Sequence, residues 1–317
     1  MEDLKGKKAL VIGALGQDGQ IISLKLRQRE VSVVGATKTN DSQRTKIDGV
    51  DYKIIDLSDT KSSFEYLDSI KPDFIFHLGA KNASSKNMTN IEISDPESII
   101  ESTVKLSTNL FNWQLKNNKT KILVGLSAFM YSNLPKKDRI ELDSEYSPKG
   151  IYGECNVNTH KTIIEYRNRY DSNICGLILF NHTSKFSKQG FLVPDLVEKI
   201  SKLKNNETES ITINESNKYI DISSAYNFCD GFIKIVELGL KNDFIFSSGR
   251  LVTIRSIVED AIATIDKKLI ARINFVEEVN LAKPIYGDIS MTKKMLDWKP
   301  DDSIRNTLID MLGQSHA

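Results

Sequence analysis

The sequence predicts an α/β fold of the Rossmann type, a doubly wound parallel sheet with a smaller C-terminal lobe interleaved with it. Three observations support this prediction. Short β-branched runs alternate with longer amphipathic stretches through residues 1–180. A glycine-rich loop follows the first of these runs directly. Beyond residue 180 the alternation loosens, so a second and smaller unit is expected there.

Apolar runs in the first part of the chain predict strands, because buried parallel strands are apolar nearly throughout. These runs are residues 9–12, 31–34, 52–55, 74–76, 121–124 and 175–180. Helices are expected between them at residues 18–29, 60–70, 96–117 and 150–171. The sequence Asp95-Pro96 supports the start of the third helix, since it places a capping residue before a proline at the first helical position.

The second part of the chain carries weaker signals, beginning with a polar segment at residues 181–190. Further elements are expected as helices at 194–204, 224–240, 253–266 and 303–312 and strands at 219–222 and 243–246. We therefore expect an NAD(P)-binding domain over residues 1–180, to which residues 216–250 return. Residues 181–317 are expected to form mainly a substrate-binding lobe.

The composition of the 317 residues is that of an ordinary soluble globular protein, 40% hydrophobic and 27% charged. The 43 basic and 42 acidic residues nearly cancel, so no overall field would recruit nucleic acid or an anionic membrane. The 3 scattered cysteines suit neither a disulfide framework nor a metal site. No apolar run reaches membrane-spanning length. We expect a cytoplasmic protein with no metal and with neither nucleic acid nor membrane as a partner.

The glycine loop carries the first chemical signal. Glycines permit a tight turn and let backbone N–H groups approach a pyrophosphate at a helix N-terminus. A purely structural turn is the alternative, but the position directly after the first strand favours a dinucleotide site. The loop residues expected to contact the cofactor are Gly13, Gly16, Gln17, Asp18 and Gly19.

The end of the second predicted strand bears on the choice of cofactor. No acidic residue stands there to bind a ribose 2′-hydroxyl, and Lys38 would instead meet a 2′-phosphate. A solvated loop lysine is the alternative, but NADP(H) is favoured over NAD(H). Asp56 and Leu57 are expected to reach the adenine. The residues expected along the ribose and pyrophosphate are Leu78, Gly79 and Ala80.

Further motifs occur in order along nearly the whole chain. They are His77-Leu-Gly-Ala80, Ser127-Ala-Phe-Met-Tyr131, Tyr152-Gly-Glu-Cys-Asn156 and Phe180-Asn-His-Thr-Ser184. With the glycine loop they resemble the extended short-chain dehydrogenase/reductases of the NAD-dependent epimerase/dehydratase group, and within it the GDP-mannose 4,6-dehydratase-like enzymes. The resemblance implies an NAD(P)-dependent oxidoreductase acting at or near C4 of a nucleotide-linked sugar, with GDP as the expected nucleotide. It also implies a homodimer or homotetramer that pairs through helices 96–117 and 150–171.

The resemblance assigns catalytic roles to Ser127 and Tyr152. The Ser127 hydroxyl would bind the sugar oxygen, and Tyr152 would exchange a proton with that oxygen while the nicotinamide takes or gives a hydride. Asn156, counted with them as a catalytic residue, stands where the family has a lysine that binds the nicotinamide ribose. Tyr152 and Asn156 are also expected to contact the cofactor. The residues expected to contact the substrate, besides Ser127, are Asn181, Lys218 and Lys283.

Two departures from the family pattern bear on the reaction. Phe129 stands where the dehydratases have a glutamate, and a phenyl ring cannot transfer a proton. Asn156 supplies no charge, and the loss of a cation raises the pKa of the neighbouring tyrosine. Both departures favour 4-keto reduction, in which Tyr152 acts as an acid. An epimerase, a 4,6-dehydratase with a rebuilt site, and an inert NAD(P)- and nucleotide-sugar-binding protein remain alternatives.

Overall fold

The structure, a computed structural model, describes residues 2–39, 45–79, 95–134, 138–279, 283–300 and 304–313. Its strands are β1 (Lys8–Ile12), β2 (Ser32–Thr37), β3 (Asp51–Ile54), β4 (Phe74–His77), β5 (Lys121–Ser127), β6 (Asp138–Ile140), β7 (Ile174–Leu179), β8 (Asn181–Thr183), β9 (Ile211–Ile213), β10 (Tyr219–Ile220), β11 (Ile222–Ser224), β12 (Phe244–Phe246), β13 (Val252–Thr253), β14 (Ile273–Phe275) and β15 (Ile285–Gly287).

Seven of these strands form a parallel sheet in the order β12-β7-β5-β4-β1-β2-β3. The order reverses at β1, which pairs with β4 on one side and β2 on the other. The pairing places Ile12 beside Ala36 and beside His77, so three strands end at one edge. Open α/β sheets bind their ligands at such a reversal, outside the carboxyl ends of the strands.

Helices flank this sheet and also form the second part of the chain. They are α1 (Gln17–Gln28), α2 (Thr60–Ile70), α3 (Pro96–Ile100, a π-helical turn Glu101–Lys105, and Leu106–Lys116), α4 (Gly150–Tyr170), α5 (Leu192–Lys204), α6 (Ala225–Glu237), α7 (Ile254–Ile265), α8 (Ser290–Leu296) and α9 (Ile304–Met311). Helix α1 packs against α6, while α2, α3 and α4 pack in series. Within the described ranges, no helix has the length and apolarity needed to cross a membrane.

The apolar interior has two main parts. The larger part surrounds the central sheet and includes Leu10, Ile75 and Leu177, none of which is accessible to solvent. The other lies between α5, α7 and α9, with Ile200 and Val258 at its centre. Strand β12 joins the central sheet beside β7, so the chain returns to the first core after leaving it. The assignment of cofactor and substrate binding to separate parts of the chain stays a prediction.

The predicted fold class is confirmed, and the structure adds details that the sequence did not indicate. The strand expected at 219–222 is divided between β10 and β11 at Asp221. The buried Asp221 carboxylate accepts hydrogen bonds from Ser247, Ser248 and Gly287, so the chain turns inward there. The segment at 181–190, expected to be only polar, begins with β8, which pairs with β11. Short strands such as β6 and β9 are missing from the prediction because three residues carry no readable periodicity.

Candidate functional site

The glycine loop is held against the end of β4 by close backbone contact. Gly13 has a φ of +80°, and a Cβ added to it would lie 2.7 Å from the Cα of Gly79. A Cβ added to Gly19 would lie 2.2 Å from the carbonyl oxygen of Gly13. The N–H of Gly16 closes the turn by donating to that same carbonyl at 2.8 Å. Gly13 and Gly19 therefore accept no larger residue without a shift of the backbone, and a Cβ at Gly16 would lie 3.0 Å from the same carbonyl oxygen.

The N-terminus of α1 follows this loop directly. The helix begins at Gln17, and no side chain of the described residues caps it. The first N–H groups of a helix lack partners within the helix, and the helix dipole makes this end positive. The uncapped end and the close-packed glycine turn fit the pyrophosphate of a dinucleotide.

The side chains of Gln17 and Asp18 form hydrogen bonds with residues of the segment that begins with β8. The Gln17 side-chain oxygen accepts hydrogen bonds from Ser184 and Ser187. The Asp18 carboxylate contacts the Nε2 of His182 at 3.0 and 3.1 Å. These contacts join the glycine loop to β8, so any cofactor contact of Gln17 and Asp18 is expected through their backbone.

His182 is a residue of this region that the sequence analysis missed. Its Nδ1 lies 2.7 Å from the carbonyl oxygen of Phe180, and its Nε2 faces the Asp18 carboxylate. Both partners only accept hydrogen bonds, so the cationic imidazolium satisfies both contacts. Burial lowers the pKa of His182, but the charge and hydrogen bond of Asp18 outweigh burial and leave the pKa raised. A partly buried cation therefore lies beside the glycine loop.

The end of β2 places Lys38 between two carboxylates. Its Nζ lies 2.9 Å from Asp56 and 3.1 Å from Glu101. Burial raises the pKa of Asp56, but hydrogen bonds from Ser58 and Lys38 outweigh burial and lower it to about 2. Lys38 and Asp56, predicted as separate cofactor contacts, are thus brought together. Leu57 is buried, and its predicted contact with the adenine stays a prediction.

The segment after β4 follows the glycine loop. The N–H of Leu78 donates to the carbonyl oxygen of Ile12 at 3.0 Å. A Cβ added to Gly79 would lie 3.1 Å from the N atom of Gly13, so the two loops touch. Ala80, the third residue predicted here, lies outside the described residues.

Ser127, Tyr152 and Asn156 meet where β5 ends and α4 begins. Asn156 is 1% exposed, and its Oδ1 accepts a hydrogen bond from the N–H of Ser127 at 2.9 Å. Its Nδ2 donates to the carbonyl oxygen of Tyr152, one turn earlier, at 2.7 Å. The asparagine therefore connects α4 to the end of β5 by hydrogen bonds. A lysine could not replace it, because its ammonium group cannot accept the hydrogen bond from the N–H of Ser127.

The phenol of Tyr152 lies in a buried setting. Burial raises its pKa, hydrogen bonds with Ser127 and Asn156 oppose that effect, and the pKa remains above its ordinary value. The phenol is therefore protonated at neutral pH. The ring of Phe129 packs edge-on against Tyr152 with 5.7 Å between centroids. An apolar ring thus borders the phenol of Tyr152 at the position where the resemblance predicts a glutamate.

The residues predicted to contact the substrate have varied surroundings. The Asn181 side chain donates to the carbonyl oxygen of Asp221 at 2.9 Å, which fixes it on β8. Lys218 forms an ion pair with Glu215, three residues away. Lys283 is exposed just before β15. Contact of these three residues with a sugar diphosphate stays a prediction.

The parallel sheet, the glycine loop and the serine–tyrosine pair define an extended short-chain dehydrogenase/reductase of the NAD-dependent epimerase/dehydratase group. A family model described as GDP-mannose 4,6 dehydratase matches residues 10–311, and the chain belongs to that family.

Individual relatives are distant in sequence. The GDP-mannose 4,6 dehydratase 2 of Caenorhabditis elegans is 20% identical, over 98% of this chain and 89% of the relative. A solved UDP-N-acetylglucosamine 4-epimerase from Methanobrevibacter ruminantium, in complex with UDP-N-acetylmuramic acid, is 19% identical with a TM-score of 0.80 and covers 98% of both chains. The dTDP-glucose 4,6-dehydratase of Bacillus anthracis, solved with NAD, is 13% identical with a TM-score of 0.77, over 97% of this chain and 96% of that one. These structures share the fold.

Proposed function

We propose that this protein is a nicotinamide-dependent reductase of a nucleotide-linked 4-keto sugar, with GDP as the preferred nucleotide. The observation that carries the proposal is the geometry around the buried Tyr152, which lies with Ser127 and Asn156 at the end of β5 and has the ring of Phe129, not a carboxylate, packed against it. Reduction of a carbonyl requires a proton donor, and a tyrosine phenol is protonated at neutral pH. Membership of a nucleotide-sugar dehydratase/epimerase family supports the substrate class.

The proposed reaction divides the work between the cofactor and the protein. A bound reduced nicotinamide would supply the hydride that adds to C4 of the keto sugar. Tyr152 donates its phenolic proton to the O4 oxygen as the C4–H bond forms. Ser127 donates a hydrogen bond to the same oxygen, so the developing negative charge is shared. Solvent then returns a proton to Tyr152, which completes the balance.

Asn156 and Phe129 favour reduction over dehydration. Elimination of water needs a second acid or base beside the tyrosine, and Phe129 offers none. Oxidation of the sugar hydroxyl would need tyrosinate, which burial disfavours and which no lysine at position 156 stabilises. Reduction uses the protonated phenol, so it is the direction that this set of side chains assists.

The proposed cofactor site uses the glycine turn and the uncapped end of α1 for the pyrophosphate. The contact of His182 with Asp18 connects that end to β8. Homo-oligomer formation through α3 and α4 is part of the same proposal. Light scattering on the purified chain would test it.

The direct test is incubation of the purified protein with reduced cofactor and GDP-4-keto-6-deoxymannose. We expect loss of absorbance at the wavelength of the reduced nicotinamide, together with a product that is heavier by two hydrogens. The control is the same mixture with GDP-mannose, which has no carbonyl to reduce. Absence of turnover with GDP-, UDP- and dTDP-linked keto sugars, despite tight cofactor binding, would favour the non-catalytic binding protein instead.

A further inference from the structure

The charges at the end of β2 bear on which nicotinamide cofactor the protein accepts. We infer that Asp56 and Glu101 neutralise Lys38 and make the protein selective for NAD(H) over NADP(H), the reverse of the preference suggested by Lys38 alone. This inference rests on the proposed dinucleotide site. It assigns Glu101, a residue outside the recognised motifs, as a determinant of cofactor specificity.

The first argument is the local charge. Lys38 contributes one positive charge, and Asp56 and Glu101 contribute two negative charges within 3.1 Å of its ammonium group. A phosphate monoester adds about −1.5 to −2 at neutral pH. The 2′-phosphate of NADP(H) would therefore have to displace one carboxylate from Lys38 or lie beside both. The 2′-hydroxyl of NAD(H) adds no charge.

The second argument is that hydrogen bonds hold Asp56 in place and that Glu101 belongs to a further group of charged side chains. Asp56 accepts hydrogen bonds from the N–H and the hydroxyl of Ser58 at 3.0 and 2.6 Å, so it is held independently of Lys38. Glu101 is also 3.8 Å from Lys105, which in turn pairs with Glu97. Among these five charged residues the sum is −1. The pKa of Asp56, lowered to about 2, keeps its carboxylate ionised throughout the physiological range.

The third argument is the backbone at Glu101. This residue begins the π-helical turn Glu101–Lys105, the irregular part of α3. Such turns are uncommon in helices and recur at functional sites. The turn belongs to the helix that brings an acid from a distant part of the sequence to the end of β2. A ribose with a free 2′-hydroxyl prefers an acidic partner at this place in Rossmann folds.

The test measures binding of NADH and NADPH to the full chain by nucleotide fluorescence and calorimetry, without substrate. We expect NADH to bind more tightly by about tenfold or more. Glu101→Gln should strengthen NADPH binding several-fold and change NADH binding less. The matched control is Glu97→Gln, on the same helix and paired with Lys105 but not with Lys38. The preference for NADH should narrow as salt increases, because the charges are partly exposed and are screened.

Separate outcomes distinguish this inference from the proposed function. Equal or tighter binding of NADPH to the unmodified chain would overturn the inference and leave the dinucleotide site intact. An unchanged ratio of the two affinities in Glu101→Gln would remove Glu101 from the explanation. Failure of both nucleotides to bind would instead contradict the proposed function itself.

Discussion

Replacement of Asn156 by alanine tests whether this side chain holds Tyr152 against the end of β5. The change removes the acceptor of the Ser127 N–H and the donor to the Tyr152 carbonyl. A buried N–H left without a partner costs about 1–3 kcal/mol, and a lost ordinary hydrogen bond about 0.5–1.5 kcal/mol. We therefore expect a loss of about 2–4 kcal/mol in the free energy of unfolding.

This loss converts to a measurable change in melting temperature. An unfolding entropy of about 2.1 cal/mol/K per residue, summed over 317 residues, gives about 0.7 kcal/mol/K. Asn156→Ala should therefore melt about 3–6 °C lower by calorimetry. Asn158→Ala is the matched control, since it makes the same exchange at an exposed position of the same helix. It corrects for the higher helix propensity of alanine.

The same variant should also slow 4-keto reduction by about 10–100-fold, because Ser127 loses the contact that fixes its backbone. The cofactor dissociation constant, measured separately, identifies any contribution from nucleotide binding. Melting temperatures within one degree for the two alanine variants, with activity retained in both, would refute the fastening role of Asn156.

Three further changes have defined outcomes. Tyr152→Phe should lower the reduction rate by about 10²–10⁴-fold and leave the NADH dissociation constant unchanged, because only the proton donor is lost. Phe129→Glu should slow reduction at neutral pH, whereas Phe129→Leu should not, since a carboxylate beside Tyr152 raises the phenol pKa and weakens the acid. His77 is buried with a pKa lowered to about 4, so the stability it contributes is complete above its unfolded pKa of about 6.5 and is lost as the pH falls towards 4. Between pH 6.5 and 4.5 the unmodified protein should lose about 2–3 kcal/mol more of its free energy of unfolding than His77→Gln does. Urea unfolding at both pH values measures this difference. An equal change in the free energy of unfolding for the two proteins between these pH values would contradict the assignment to His77.

The sequence was sufficient for the parallel sheet and its helices because those elements carry long, regular patterns. Residues 9–12 and 74–76 are continuous apolar runs, and both became buried neighbouring strands. The glycine loop could also be predicted from the sequence, because three glycines directly after the first strand are typical of a dinucleotide-binding loop. These patterns are local, so a single sequence is enough to recognise them.

The surroundings of the site residues were less predictable because they depend on partners far apart in the chain. The pair of Lys38 with Glu101 joins residues 63 positions apart, and the pair of His182 with Asp18 joins residues 164 apart. Nothing in a local pattern indicates such contacts. Lys38 alone suggests that the site binds a 2′-phosphate, whereas Lys38 between two carboxylates suggests that the site disfavours one. The cytoplasmic location and the oligomeric state stay predictions.

The central claim is that Tyr152 and its neighbours reduce a sugar carbonyl with a hydride from the bound nicotinamide. The most direct measurement uses NADH carrying deuterium at C4 of the nicotinamide ring, with mass spectrometry and proton NMR of the sugar product. We predict one deuterium at C4 of the sugar, formed by the unmodified protein and formed far more slowly by Tyr152→Phe. Consumption of the keto sugar without deuterium at C4, or no conversion of any keto sugar by a protein that binds NADH, would contradict the account.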